Sequence, residues 1–317
     1  MSFSMFDSML VPLDGSEAAE AALAVAELIP SRRVRLLSVE SDLSDLTAIC
    51  LAEPDCQAYL ERVAEPLRRQ GREVETVVAF GDPARKIVES AATADLVVMG
   101  SHGRGAAGRL VPGNIAGQVA RDAPVPTLIV RGGRKPATPI PITRIIVPLD
   151  GSPLAARALP MAVALAGSMG LPVHLVRVVE VDPAPGAGEA AVDSVAQAYS
   201  RSHAETILQA EAYLAEQVQA LRNMDVAATS ELRRGAPASE LLDAIRKGDL
   251  TVLTTRERGG IERRMLGSVA EELVRRAAGP VLLVRATHRV TTGQGVGTLA
   301  SGRSTTRGAV VTSGRPS

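Results

Sequence analysis

Two stretches in the first half of the chain carry residue types at spacings that could do chemistry. A short apolar run, Met9 to Leu13, ends in Asp14-Gly15-Ser16, and further on Gly100-Ser101-His102-Gly103 is followed after nine residues by Gly113-Asn114, where a helix is expected to begin. Glycines let the chain turn tightly and bring backbone N–H groups close to a ligand with no Cβ in the way; a helix N-terminus adds unpaired donors and a positive dipole end. Such a loop suits a phosphate chain. Asn114 can cap the helix or donate its amide to a phosphate oxygen, and Arg104 and Arg109 lie in the connecting loop. Glycines punctuate any α/β loop, and Asn114 alone would read as a cap. The nine-residue spacing, together with a carboxylate directly after the first strand, tips the reading toward a binding site.

Other chemistries find little support. Cys50 and Cys56 form a C-x5-C pair around Pro54, which fits neither a zinc knuckle nor a redox C-x-x-C, and reads as two reduced thiols. His102, His174, His203 and His288 are scattered, none at metal-ligand spacing with another His or Cys. A metal-centred or Cys/His enzyme is disfavoured. With 35 Lys+Arg against 35 Asp+Glu and 2% aromatic residues, the chain has neither a basic field for phosphate backbones nor rings to stack on bases, so nucleic acid is not an expected partner. No apolar run is long enough to span a bilayer, and the start, MSFSMFDSMLVPLDGSE, lacks a basic n-region, so the expected location is cytoplasmic and no membrane partner is expected.

The chain repeats itself. Val11-Pro12-Leu13-Asp14-Gly15-Ser16 recurs letter for letter as Val147-Pro148-Leu149-Asp150-Gly151-Ser152, an offset of 136, whereas Gly81/Gly235, Gly113/Gly267 and Pro126/Pro280 are each 154 apart. A tandem duplication follows, with 18 extra residues in the second copy, most of them expected within Asp182 to Ser202.

The elements that must position these residues alternate between strand and helix. In copy one the strands are Met9–Leu13, Val34–Val39, Val74–Phe80, Leu96–Met99 and Thr127–Val130; the helices are Ala18–Ile29, Gln57–Gln70, Ala84–Thr93 and Ile115–Arg121. In copy two the expected strands are Ile145–Leu149, Val173–Val179, Val226–Leu232, Thr251–Thr254 and Val281–Val284, with helices Ala155–Met169, His203–Leu221, Ala238–Arg246 and Val269–Ala277. Both copies read as five-stranded, parallel, doubly wound α/β sheets of the Rossmann-like kind. The domains run 1–131 and 142–286, joined by a Gly/Pro-rich linker at 132–141; residues 287–317, poor in large apolar side chains, are expected to be disordered. Open parallel sheets bind ligands beyond the carboxyl ends of their strands, at the switch in strand order, where Asp14 and Gly100 would meet.

VPLDGS after an opening strand, GDPARKIVESAATADLVVMGSHGRG, and the run to PVPTLIV resemble the universal stress protein family, and the second copy is similar from IIVPLDGSP to GPVLLV. Gly100, Gly103 and Gly113 meet the family pattern G-x2-G-x9-G-[ST] in order, and Asn114 departs from it. The resemblance implies an adenine-nucleotide α-hydrolase-like fold and ATP in copy one, accompanied by Mg2+, for which Asp14 is the one candidate contact. It implies a binding set of Pro12, Asp14, Val39, Gly100, Gly103, Arg104, Gly113, Asn114 and Ile115: the backbone near Val39 against adenine, Asp14 and Gly100 near the ribose, and the later residues around the phosphates. Single domains of the family dimerise through their last strand, so the apolar edges Val125–Val130 and Val281–Val284 are expected to pair within the chain; a homodimer of such pairs is compatible, with no surface singled out.

Copy two departs further. It carries Thr254-Thr255-Arg256-Glu257 where copy one has the leading glycines, keeping only Gly267-Ser268. Thr254 brings a branched Cβ, and Glu257 puts a carboxylate where a phosphate would sit. One nucleotide site per chain is therefore expected, in a regulatory stress protein and not an enzyme, since only Asp14 and a lone His102 stand near it as candidate bases. A ligand-free scaffold with two vestigial sites and a slow ATPase are the alternatives.

Overall fold

The computed structural model describes residues 5–40, 56–101, 114–131, 140–180, 192–255 and 266–286. The expected linker lies almost wholly outside these residues, and the tail beyond Ala286 lies outside them entirely.

Copy one comprises β1 (Phe6–Pro12), α1 (Glu17–Ala26), β2 (Ser31–Glu40), α2 (Cys56–Arg69), β3 (Glu73–Phe80), α3 (Pro83–Ala91), β4 (Leu96–Gly100), α4 (Asn114–Asp122) and β5 (Thr127–Val130). Copy two comprises β6 (Arg144–Pro148), α5 (Pro153–Ala156), α6 (Leu159–Met169), β7 (Val173–Val179), α7 (Val192–Arg222), β8 (Ala228–Arg234), α8 (Pro237–Ala244), β9 (Asp249–Thr255), α9 (Ser268–Arg276) and β10 (Val281–Arg285). Local chemistry sets several boundaries. Ser16 caps α1 by accepting from the Ala19 N–H, Asp82 caps α3 by accepting from Arg85, and Pro83 follows at the first turn, where its missing N–H costs nothing. The single helix expected over Ala155–Met169 is instead two. Pro160 cannot donate to the carbonyl of Ala156, so the chain stops at α5 and restarts at α6. Helix α7 begins 11 residues before the expected His203, because nothing between Val192 and His203 breaks a helix and the inserted residues simply prolong it.

The strands form one ten-stranded sheet in the order β3-β2-β1-β4-β5-β10-β9-β6-β7-β8. Each copy is parallel throughout, and the last strands meet antiparallel, with Leu128 opposite Leu282 and Ile129 opposite Val281. The two sheets read from the sequence are thus halves of one, joined along the apolar edges expected to pair. Side chains alternate across this seam: Leu128, Val130, Leu282 and Val284 join the apolar layer that includes α1, α2, α6 and α7. Ile129, Val281 and Leu283 join the opposite layer, under α3, α4, α8 and α9. Both layers run across the two copies without interruption, so the halves share their core.

A partly buried polar network, with Asp249 at its centre, links β6, β7, β8 and β9. Arg144 pairs bidentately with Asp249, itself 2% exposed, at 2.9 and 2.5 Å. Beside them His174 contacts Thr229 Oγ1 at 2.8 Å and Glu231 at 3.4 Å, and Arg233 bridges Glu231 and Glu240. Burial, reinforced by the positive charge of Arg144, holds His174 below its ordinary value against the opposing pull of Glu231 and Asp249. The folded chain therefore prefers neutral imidazole, whereas the unfolded chain takes up a proton near pH 6.5. As pH falls from about 6.5 toward the lowered folded value, the unfolded state binds more protons and stability drops. In His174→Gln, thermal melts between pH 7.5 and 5 should lose part of the downward slope seen in the parent; an unchanged slope would show that other groups govern it.

Candidate switch-point site

In copy one, β1 lies between β2 and β4, so the order of connections reverses between β1 and β4. Pro12 is the last residue of β1 paired with β2, opposite Leu37, and Leu13 still donates to the Leu37 carbonyl at 2.8 Å before the chain leaves the sheet at Asp14. The parallel register Leu10↔Val97 brings Leu13 level with Gly100. Asp14 Oδ1 accepts from the Ser16 N–H at 3.0 Å and the Ser16 hydroxyl at 2.6 Å, with Gly15 at φ 75° closing the turn. The same serine hydroxyl accepts from Ala19 at 3.2 Å, so the carboxylate is tied to the first turn of α1. This unit recurs in copy two: Asp150 Oδ1 accepts from the Ser152 N–H at 2.8 Å, Ser152 caps toward Ala155 at 3.1 Å, and Gly151 has φ 84°.

Gly100 has a reason beyond ligand approach. A Cβ there would sit 2.6 Å from the carbonyl oxygen and 2.9 Å from the carbonyl carbon of Ala18, in the first turn of α1. Copy two holds Thr254 at this position, and its Oγ1 donates to the Leu154 carbonyl, the counterpart of Ala18, at 2.8 Å. There the helix spans only Pro153–Ala156, whereas α1 runs unbroken over ten residues. The threonine thus replaces a close backbone contact by a hydrogen bond to a shorter helix.

The structure places Pro12, Asp14, Val39 and Gly100 at the carboxyl ends of β1, β2 and β4, with Asn114 and Ile115 opening α4; Ile115 is among the few exposed large apolar residues. Gly103, Arg104 and Gly113, with His102 and Arg109, fall outside the described residues, as do Arg256, Glu257 and Arg258 in copy two. The described portion of the switch point is therefore a carboxylate tied to its turn beside the carboxyl ends of β1, β2 and β4. For a divalent ion, Asp14 is the acidic group at the site, and no cluster of three or more His, Cys, Asp or Glu ligands occurs among the described residues.

Sequence reasoning missed Arg177 and Tyr213. The strand registers raise the offset between copies from 136 at Val11/Val147 to 139 at Leu36/Leu175 and 154 at Val77/Glu231. Arg177 is therefore the counterpart of Ser38, and Tyr213 that of Tyr59. The Arg177 guanidinium lies over the Tyr213 ring at 5.3 Å and against Gly151, within 3.0 Å of where a Cβ on that glycine would stand. The 139 offset, which exposes the Ser38/Arg177 exchange, was already present in the starts of the second strands, Val34 and Val173, and the strand pairing fixes it.

The profile of the universal stress protein family matches residues 5–131 and 141–285. Universal stress protein Rv2005c of Mycobacterium tuberculosis is 28% identical over 217 residues, 67% of this chain and 69% of that protein. The universal stress protein in the QAH/OAS sulfhydrylase 3' region of Thermus aquaticus is 34% identical over 138 residues, 40% of this chain and all of that one. Among solved structures, a universal stress protein from Archaeoglobus fulgidus superposes with a TM-score of 0.59 at 21% identity, covering 88% of this chain and 98% of the other, and speaks to the fold alone. No helix among the described residues is long and apolar enough to cross a membrane. With both matched segments spanning one complete switch-point unit each, the chain belongs to the universal stress protein family and carries its domain twice.

Proposed function

We propose that the chain binds one adenine nucleotide, ATP with Mg2+, at the β1/β4 switch point of its first copy, and uses it as a regulatory or conformational ligand in a cytoplasmic stress response. The observation that carries this reading is the difference between the two crossings. Both hold an aspartate in the same serine-tied turn, but only the first follows it with the glycine loop and an unbroken α1. Strand-end backbone at Val39 would meet the base and Asp14 the ribose; Gly103, Arg104, Gly113, Asn114 and Ile115 would surround the phosphates. When bound, Mg2+ would neutralise phosphate charge. Calorimetry with MgATP should return one site per chain, lost on mutation of the copy-one loop only; two equivalent sites would overturn the assignment.

The geometry also favours holding over turnover. Asp14 Oδ1 already accepts two hydrogen bonds from Ser16, which positions the carboxylate as a fixed acceptor and not as a base for water. Phosphate release should therefore stay well below the roughly 1–100 per second typical of kinases. A rate above about 1 per second, abolished by Asp14→Ala with binding intact, would make this an ATPase with Asp14 in its machinery. The packing role of Gly100 favours a second reading, a scaffold that needs no ligand, because that glycine is demanded by α1 whether or not a nucleotide is present. An absorbance excess at 260 nm in the purified protein separates the two.

A further inference from the structure

The counterpart tyrosines Tyr59 and Tyr213 are each covered by a cation, but the cation comes from a different element in each copy. In copy one, Arg62 lies over the Tyr59 ring at 5.5 Å, one turn along the same helix. Position 38 on the neighbouring strand is a buried serine. In copy two the counterpart of Arg62 is Glu216, and the cation is supplied across the cleft by Arg177, two residues beyond core residue Leu175 on the same face of β7. Its guanidinium is held between two surfaces: the Tyr213 ring, 5.3 Å from centroid to carbon, and the backbone of Gly151, where three of its atoms lie 2.9–3.0 Å from the place a Cβ would take. Gly151 follows Asp150, so the guanidinium rests on the turn that in copy one presents Asp14. The Tyr213 hydroxyl is buried and makes no hydrogen bond among the described residues. Burial raises its pKa, Arg177 opposes this, and Asp150 adds to it, which places all three groups within electrostatic reach of one another.

A planar cation held between a ring and the glycine turn that follows Asp150 would meet a nucleoside entering at this crossing. We propose that Arg177 is a specificity-determining residue that closes the second switch point to nucleosides, and that the Ser38/Arg62 to Arg177/Glu216 exchange acts beside the Gly100/Thr254 exchange in making the two copies different before any phosphate is met. This rests on nucleotide binding at the first switch point. It goes beyond the loss of the glycine loop, because it acts on the nucleoside end of the cleft, far from Glu257 in sequence and indifferent to phosphate charge.

Adenosine, which lacks phosphates, separates the two effects. In equilibrium dialysis with labelled adenosine on the full chain, the unaltered protein should take up one per chain. Arg177→Ser with Glu216→Arg in a Thr254→Gly background, which rebuilds the copy-one arrangement and keeps a cation over Tyr213, should take up two, whereas Thr254→Gly alone should stay at one. The reciprocal pair, Ser38→Arg with Arg62→Glu, should reduce uptake to none while the melting curve stays cooperative. Arg177→Ser without Glu216→Arg, in the same background, serves if the combined variant does not fold. The proposal is overturned if folded Arg177 variants stay at one, or if the reciprocal pair retains its site with affinity within about threefold of the parent. Should the unaltered chain bind neither ATP nor adenosine, the functional reading above fails by itself. The arginine proposal then stands if the Arg177 variants acquire adenosine and falls if they do not.

Discussion

Replacing Gly100 by threonine should destabilise the chain by about 3 kcal/mol, toward the upper part of the overpacking range, and lower its melting temperature by roughly 6–12 °C. The added Cβ would arrive 2.6 Å from the Ala18 carbonyl oxygen, a backbone atom that cannot swing aside as a side-chain tip would. The second copy shows what accommodation requires: its threonine coexists with a helix of four residues that stops before Pro160, a break that α1, with no proline from Glu17 to Ala26, cannot reproduce. Gly100→Ala should already incur most of the cost, because the first side-chain carbon makes the clash. Thermal melts followed by circular dichroism decide it; a threonine variant melting within about 2 °C of the parent would show that α1 shifts freely.

Replacing Gly103 by glutamate should abolish nucleotide binding and leave the melt unchanged. The substitution copies into the first loop the carboxylate that Glu257 places in the second. A carboxylate a few Å from a phosphate costs roughly 1–4 kcal/mol depending on screening, and the added side chain obstructs the backbone donors as well. Position 103 lies outside the described residues. Binding retained within about threefold, a change of about 0.65 kcal/mol, would mean that the phosphates lie elsewhere.

What could be read from the sequence, and what could not, divides along the range of the forces involved. Strand and helix positions followed from period and from short-range chemistry such as Ser16 before α1 and Asp82-Pro83 before α3. Pro160 was an equally local signal for the break between α5 and α6, outweighed in the reading by the long Ala/Leu-rich run around it. The extra length of α7 was missed because the Pro/Gly-rich start of the insertion, Asp182 to Gly188, drew attention from the helical spacing of Val192, Val195, Ala196 and Tyr199 that follows it. Aspartate at the end of the first strand was legible, since its turn partner Ser16 lies two residues away. The contact of Gly100 with Ala18 joins residues over 80 positions apart, and that of Arg177 with Tyr213 crosses from strand to helix; neither leaves a periodic trace. Fusion into one sheet was anticipated from the apolar last strands, whereas the continuity of both core layers through the seam required the Leu128/Leu282 register.

The reversal of strand direction at β5 and β10 has a directional consequence for any molecule that senses this protein. The β1/β4 and β6/β9 crossings are four strand intervals apart in the sheet, about 19 Å at ~4.8 Å per interval. A twist of about 20–25° per interval turns one crossing against the other by roughly 80–100°, on top of the reversal. The two mouths therefore open toward different compass points, and no rigid, flat partner can cover both at once. A protein that approaches the first mouth meets the second only by reaching around a corner. A single filled cleft then labels one side of an otherwise near-symmetric body, giving it a front and a back.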